Sequence, residues 1–125
     1  MFNRSYIQAH EGHPHFITDK KLSLLQRNIT FSQHDEEISK IIRNLSDPTK
    51  LKIYLLLPKV VEISVTDIAL ALGISQSAVS HALSDLKYLG LVKCRRCGQL
   101  ICYSINYAKK QNRFLSFFGR FKPNN

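Results

Sequence analysis

A mainly α-helical fold with a small β-hairpin is predicted by three patterns in this sequence of 125 residues. Apolar residues recur at helical spacing along much of the chain, and two helical segments are joined by a three-residue turn that contains Gly73. Two β-rich runs then surround a second glycine turn at Gly98. Helix, tight turn, helix and hairpin follow one another in a winged helix-turn-helix, which is therefore the fold class that we predict.

Residues 1–30 are predicted to form an N-terminal extension that is partly flexible. Thr18 and Asp19 are suited to cap one short helix there, which would carry Leu22, Leu25 and Gln26. The extension also holds closely spaced histidines, for which we favour a flexible arm over a metal site. The candidate histidines are His10, His13 and His15, with His34 nearby in the sequence.

Two further helices are predicted between residues 31 and 58. Ser32 is a suitable N-cap for the first, because three acids follow it where the helix dipole favours negative charge. Asp47 and Pro48 interrupt its apolar stripe and open the second helix. Nearly continuous apolar residues indicate that this second helix is deeply buried, and Pro58 ends it. The β-branched run of residues 60–65 predicts one short strand beside the hairpin.

The helix-turn-helix is predicted over residues 66–89. Thr66 and Asp67 would cap a short helix, Gly73 would end it, and Ser75 would cap the next helix. The apolar stripe of this second helix consists of Val79, Leu83 and Leu86. Its other face carries short, neutral or basic hydrogen-bonding side chains, as a helix that enters a DNA groove requires. These side chains are Gln76, Ser77, Ser80, His81, Ser84 and Lys87.

The net charge of +9 is concentrated in the second half of the chain. Residues 1–67 hold nine Lys and Arg against eight acids, whereas residues 68–125 hold nine against one. Such a one-sided charge favours a polyanionic partner, and double-stranded DNA fits it better than a membrane surface. No apolar run is long enough to span a bilayer, and no signal pattern opens the chain, so we expect a cytoplasmic protein.

The predicted DNA contacts fall into two groups. Base edges would be read by side chains near the start of the second helix, and phosphates would be held by its N-cap, by its last turn and by the hairpin. The predicted base contacts are Gln76, Ser77, Ser80 and His81. The predicted phosphate and minor-groove contacts are Ser75, Lys87, Lys93, Arg95 and Arg96.

The chain from residue 106 to residue 121 is rich in aromatic residues and predicts a terminal amphipathic helix. A small domain has little core left for such a helix to join, so we expect it to pack against a second copy of the chain. The predicted domain therefore spans residues 31–121, dimerises through terminal helices, and is followed by a frayed tail at residues 122–125.

Three segments together resemble the ArsR family of winged-helix repressors. Residues 45–53 resemble that family's Leu-x-Asp-Pro-Thr-Arg-Leu-x-Ile segment, residues 75–83 its recognition helix, and residues 90–105 its wing. The resemblance implies a homodimeric repressor that binds a palindromic operator. It also implies release of that operator by an inducer, often a metal or metalloid ion or a thiol-reactive species.

The sequence departs from the family where the inducer would bind. Metal-sensing members carry a Cys-x-Cys pair in a segment that matches residues 62–68, and here Ser64 and Thr66 replace the two cysteines. Hydroxyl groups are poor ligands for soft ions. A second family site uses Asp and His on the last helix, and residues 106–121 contain neither.

Three thiols remain for sensing, and all lie in the predicted hairpin. A two-residue turn at residues 97–98 would place Cys94 and Cys102 on opposite faces, so that no single ion reaches all three thiols. A three-residue turn at residues 97–99 would instead set these two cysteines directly opposite each other. The candidate sensor residues are Cys94, Cys97 and Cys102.

The hairpin cysteines have three interpretations: small fillers of the strands, a thiol sensor, or ligands of a soft metal or metalloid ion. No definite cofactor is predicted from the sequence, and a soft metal or metalloid ion is the one candidate. The neighbouring Lys93, Arg95 and Arg96 would favour thiolate over thiol and so raise reactivity. Oxidation or ion binding that bends the hairpin would then move the arginines away from DNA and lower affinity.

Other functional classes are less well supported by the sequence. A winged helix can serve as a protein-interaction module, although such a scaffold has no need of the one-sided charge. We do not expect an enzyme, because no motif places a Ser-His-Asp or Cys-His set and no glycine-rich phosphate loop occurs.

Overall fold

The computed structural model describes residues 17–113. The described chain falls into two compact units, one ending at Glu36 and the other beginning at Glu37. Its helices and strands, in chain order, are α1 (Asp19–Asn28), α2 (Gln33–Leu45), α3 (Pro48–Leu56), a 3₁₀ turn (Leu57–Lys59), β1 (Ile63–Ser64), α4 (Val65–Leu72), α5 (Gln76–Tyr88), β2 (Val92–Cys97) and β3 (Leu100–Ile105). The domain boundaries at residues 30 and 121 stay predictions.

Two sequence predictions concern residues outside the described part. The candidate ligands His10, His13 and His15 belong to residues 1–16, and most of the aromatic terminal segment belongs to residues 114–125. His34 is described and exposed at the start of α2.

The first three helices begin at the predicted caps. Thr18 Oγ1 accepts the amide of Lys21 at 3.2 Å, and Asp47 Oδ2 accepts that of Lys50 at 3.0 Å. Ser32 and Asp35 cap α2 reciprocally, since each side chain accepts the other residue's amide. The hydrogen bonds from Ser32 lower the pKa of the Asp35 carboxyl. These caps satisfy amides that a helix leaves unpaired in its first turn.

One hydrophobic core joins α2, α3, α4, α5 and the sheet. The predicted stripe of α5 is confirmed, because its three apolar side chains are completely buried. The predicted burial of α3 is complete at Ile53 and Tyr54 and partial at Leu55 and Leu56, which pack against the core from its edge. The buried residues are Ile41, Ile53, Tyr54, Leu57, Ile68, Ala69, Val79, Ala82, Leu83, Leu86, Leu91, Val92 and Ile105.

Helix α4 begins two residues earlier than the sequence predicted. Its N-cap is the buried Ser64, whose Oγ accepts the Asp67 amide at 3.2 Å, and not Thr66. Val65 therefore belongs to the helix, and the strand predicted over residues 60–65 shrinks to β1. Val61 is left 92% exposed. Ser and Thr are both good caps, so pairing of Ser64 with Cys102 in the sheet decides between them.

The three strands form an antiparallel sheet in the order β1-β3-β2. The hairpin turn is Gly98–Gln99, because Cys97 still pairs with Leu100. Both predicted turns, at residues 97–98 and at residues 97–99, are therefore wrong. Gly98 occupies the first central position of the turn, where a positive φ favours glycine, and its φ is +63°. Strand β2 therefore extends one residue further than predicted, to Cys97.

A buried polar contact joins the chain after β3 to helix α3. The Tyr54 hydroxyl donates to Asn112 Oδ1 at 2.5 Å, and Asn112 Nδ2 donates to the carbonyl of Leu91 at 3.1 Å. Asn106 makes a similar contact, since its side-chain amide donates to the carbonyl of Gly90 at 3.0 Å. Between residues 17 and 113, no helix has the length and apolar character needed to cross a membrane.

Candidate nucleic-acid interface

Helix α5 presents its polar face to solvent. Gly73 ends α4 with a φ of +66°, and Ser75 Oγ caps α5 by accepting the Ala78 amide at 3.1 Å. The turn between them directs the buried stripe inward, which leaves the opposite face outward. The predicted contact residues on this exposed face are Ser75, Gln76, Ser77, Ser80, His81 and Lys87.

The single acid of the second half of the sequence is neutralised on α5. Asp85 Oδ2 lies 2.8 Å from Lys50 Nζ of α3. Lys50 Nζ also donates to Asn44 Oδ1 at 3.0 Å, which fixes the ammonium beside the carboxylate. A phosphate backbone that approaches α5 therefore meets no unpaired carboxylate of that helix.

Tyr88, the last residue of α5, is a surface residue for which no role was predicted from the sequence. This side chain is 87% exposed. The signal was present in the sequence, because Tyr88 follows His81 by seven residues and so lies on the same side of the helix. An exposed aromatic ring with a hydroxyl can pack on a sugar and donate to a phosphate.

The three basic residues of the hairpin do not share one environment. Arg95 is held by Glu62: its Nε donates to Oε2 at 2.7 Å, and its Nη2 donates to Oε1. The pair lowers the pKa of Glu62 and raises that of Arg95, in each case mainly through these hydrogen bonds. Lys93 and Arg96 are exposed and have no ion-pair partner among residues 17–113.

Two of the three thiols come together on one face of the sheet. The register pairs Arg95 with Cys102, so that Cys97 lies diagonally across from Cys102 on the same face. Cys97 Sγ donates to Glu62 Oε1 at 3.5 Å. The two sulfur atoms and a carboxylate oxygen of Glu62 all lie within 4.8 Å of one another. Sequence reasoning missed this cluster, because it depends on the turn and on the sheet order.

Cys94 lies on the other face of the hairpin, opposite Tyr103. The structure thus contradicts the alternative that sets Cys94 directly against Cys102. The Cys94 thiol instead contacts Lys87, and this contact is the main cause of a raised pKa at Lys87. Lys87 therefore links α5 to β2 as well as facing solvent.

Cys97 does not have the predicted thiolate character. Its pKa is raised to about 11, first by its hydrogen bond with Cys102, then by burial and by Glu62. Arg95 acts in the opposite direction but is outweighed. The expectation that neighbouring basic residues would activate the hairpin thiols is wrong for Cys97, because its hydrogen bond with Cys102, its burial and Glu62 together outweigh Arg95.

The two positions at which the family resemblance implies a Cys-x-Cys pair hold no soft ligand. Ser64 is buried and uses its hydroxyl as the cap of α4, and Thr66 is exposed on the first turn of that helix. Among residues 17–113, the group of metal-binding side chains that forms a cluster is Glu62, Cys97 and Cys102.

The chain is similar in sequence to known regulatory proteins. The family model described as "Bacterial regulatory protein, arsR family" matches residues 47–93. A cadmium resistance transcriptional regulatory protein CadC homolog of Staphylococcus aureus is 32% identical over 91 residues, which cover 73% of this chain and 74% of that protein. The transcriptional repressor SdpR of Bacillus subtilis is 35% identical over 86 residues, 66% of this chain and 94% of SdpR.

Among solved structures, the chain is similar to the homodimeric winged helix-turn-helix DNA-binding domain of Mb0332 from Mycobacterium bovis. The two share 28% sequence identity with a TM-score of 0.59, and the match covers 83% of this chain and 85% of that one. The order of the elements, the exposed polar face of α5 and these likenesses lead to one conclusion. The chain belongs to the ArsR family of bacterial regulatory proteins and is a DNA-binding transcriptional regulator with a winged helix-turn-helix fold.

Proposed function

We propose that this regulator is a repressor that binds a palindromic operator as a homodimer. The observation that carries the proposal is the exposed face of α5, which is rich in small hydrogen-bonding groups and whose one acid is paired. Two copies related by a twofold axis would place two such helices in major grooves about one helical turn apart. SdpR is named a repressor, and the Mb0332 domain is named homodimeric, which supports the proposal.

The contacts divide according to the position of each side chain. We assign base readout to Gln76, Ser77, Ser80 and His81 near the start of α5, where a recognition helix enters the groove. Gln76 is the strongest candidate for discrimination, because its amide can bond adenine at two atoms. The phosphate contacts in this proposal are Ser75, Lys87, Lys93 and Arg96, joined by Arg95 once it leaves Glu62.

In this proposal, the chemical signal that changes DNA binding is received by the wing, the hairpin of β2 and β3. A relative is named for cadmium resistance, while the segment of this chain that matches the family's cysteine pair carries Ser64 and Thr66. Soft metal or metalloid ions prefer thiolate ligands, and the thiols of the described residues are Cys94, Cys97 and Cys102. We therefore propose a soft ion as the signal and, of these wing cysteines, Cys97 and Cys102 as its receiving groups, because these two share one face of the sheet.

The proposal is tested by selecting duplexes from a random pool with the full-length protein. Two inverted half-sites should emerge, with centres about one helical turn or a multiple of it apart. Gln76→Ala should then lower the preference for the selected sequence by about 1–3 kcal/mol. Gln33→Ala, the same change on the exposed start of α2, is the matched control and should have no effect. Failure to enrich any duplex would instead favour a protein-interaction module.

A further inference from the structure

We propose that Glu62, Cys97 and Cys102 form a binding site for one soft divalent ion, and that this ion and DNA bind cooperatively because each releases one partner of the Glu62–Arg95 ion pair. The cooperative part rests on the proposed DNA contact of Arg95. The ion-binding part stands on the geometry of the wing alone.

The three side chains already have the separation that an ion would need. Zinc bound tetrahedrally at about 2.0–2.3 Å from oxygen and sulfur has ligand atoms about 3.4–3.8 Å apart. Cys97 Sγ and Glu62 Oε1 are separated by 3.5 Å, and the two sulfur atoms and a carboxylate oxygen of Glu62 all lie within 4.8 Å of one another. All three residues are half-buried, so an ion can enter from solvent and keep a water as its fourth ligand.

The ion would connect the three strands of the sheet. Cys97 ends β2, Cys102 lies in β3, and Glu62 directly precedes β1. Beyond β1 the chain passes at once into α4, the first helix of the helix-turn-helix. An ion at this position therefore fixes the tip of the wing relative to the element that supports α5.

Charge balance allows the site to fill without a change in local charge. With the ion absent, the two thiols are neutral and the charges of Glu62 and Arg95 cancel. When the ion binds, the thiol protons leave to solvent, and two thiolates and one carboxylate surround two positive charges. With Arg95 included, the cluster is neutral in both states, so the effect on DNA must come from rearrangement of the ion pair.

The rearrangement follows from one shared oxygen. Oε1 of Glu62 accepts both from Arg95 Nη2 and from Cys97 Sγ. An ion held by Oε1 replaces the Cys97 proton and weakens the hold on Arg95. A DNA phosphate that takes Arg95 in turn frees the carboxylate for the ion. Each ligand thus lowers the free energy that the other must spend to separate Glu62 from Arg95, and this coupling is reciprocal.

The sign of this coupling differs from the release expected when an ion bends the hairpin. The Arg95 side chain is 67% exposed, and exposed ion pairs contribute little, so we expect the ion to raise DNA affinity by about two- to fivefold per wing. An ion of this class would then act as a corepressor.

The ion site is tested with the full chain and Cd²⁺ under reducing conditions, followed by the ultraviolet charge-transfer absorbance of Cd²⁺–thiolate bonds. One equivalent of the ion per chain should produce the signal of two thiolates. Cys97→Ser and Cys102→Ser should each reduce it strongly, Glu62→Gln should weaken the affinity, and Cys94→Ser is the control that should keep both. An unchanged signal in the Cys97→Ser, Cys102→Ser double variant, or its loss in Cys94→Ser, overturns the site.

The coupling is tested by fluorescence anisotropy with a mixed-sequence duplex at low salt, with and without saturating Cd²⁺. The ion should tighten binding of the unsubstituted protein and of Cys94→Ser, and should have no effect on Arg95→Ala. Equal tightening of Arg95→Ala, or weaker binding by the unsubstituted protein, overturns the coupling. If no variant binds the duplex at all, the proposed function fails, while the absorbance titration still decides the ion site.

Discussion

The hydroxyl of Tyr54 is a polar group inside the core, because the whole residue is buried. It lies on α3 among apolar side chains, and its partner Asn112 is only 2% exposed. Burial raises the pKa of Tyr54, so the side chain stays a neutral donor across the ordinary pH range. An unsatisfied buried group costs more than a hydrogen bond gains, so both partners must stay in place together.

We expect Asn112→Ala to lower the free energy of unfolding by about 1–3 kcal/mol, because it leaves the buried Tyr54 hydroxyl without its acceptor and removes one of the two hydrogen bonds to the carbonyl of Leu91. Tyr54→Phe should lower it by a similar amount, about 1–3 kcal/mol, because it leaves the buried Asn112 Oδ1 without its donor. Urea denaturation measures both, and Tyr88→Phe, which removes an exposed hydroxyl, should be neutral. Equal stability of Asn112→Ala and the unsubstituted protein would show that the buried contact contributes nothing.

The raised pKa of Cys97 predicts how the reactivity of this thiol changes with pH. A thiol with a pKa of about 11 is protonated at neutral pH, and its thiolate fraction grows with pH. The rate at which iodoacetamide modifies Cys97 should therefore rise roughly tenfold per pH unit between about pH 7 and pH 9. Mass spectrometry of the Cys97 peptide gives the rate, and a plateau within this range would contradict the hydrogen bonding of the cluster.

At the level of elements, sequence reasoning succeeded where the determining contact is local. The caps at Ser32, Asp47 and Ser75 each bond an amide three residues later, so the sequence holds both partners in one turn. The buried stripe of α5 was predictable for the same reason, because the helical spacing of its apolar residues along the sequence defines it.

Sequence reasoning failed where a distant contact decides between local alternatives. Ser64 and Thr66 are equivalent as caps until pairing with β3 selects Ser64. The turn at Gly98 admits several registers, and a shift of one residue changes which cysteines of β2 and β3 share a face. The pair of Glu62 with Arg95 is separated by 33 residues in the chain, and only the strand order β1-β3-β2 brings it together.

The two arginines of β2 are predicted to differ in their effect on DNA affinity. Arg96→Ala should weaken binding to all duplexes and reduce the salt slope by about one unit, because this side chain has no competing ion pair among residues 17–113. Arg95→Ala should weaken binding less, since Arg95 must first leave Glu62. Anisotropy titrations of the two variants against one duplex measure the difference. A larger loss in Arg95→Ala would show that Glu62 does not restrain Arg95.

At the scale of the whole molecule, we predict that two copies of the chain assemble into a dimer. The aromatic residues of the terminal segment carry the prediction of a dimer, and Asn112 belongs to the core of the described unit. A truncation that tests assembly should therefore keep Asn112.

Deletion of residues 114–125 should convert a dimer into a monomer while the core stays folded, because Asn112 retains its buried hydrogen bonds. Sedimentation measures the mass, and circular dichroism shows whether the helices remain. DNA affinity should fall sharply, because only one half-site can then be held. An unchanged dimer would place the interface in another part of the chain.

The excess of basic residues in the second half of the sequence suits this protein to bind DNA. Residues 68–125 contain nine basic residues and one acid, and the acid is paired with Lys50. Binding to a phosphate backbone by such a surface is driven largely by release of counterions, which makes affinity depend steeply on salt.

The salt dependence of duplex binding by the full-length protein tests this account most directly. We expect the logarithm of the association constant to fall linearly with the logarithm of salt concentration, with a slope of about −0.9 for each phosphate contacted and several contacts per dimer. A slope near zero would contradict a DNA-binding surface built from α5 and the wing.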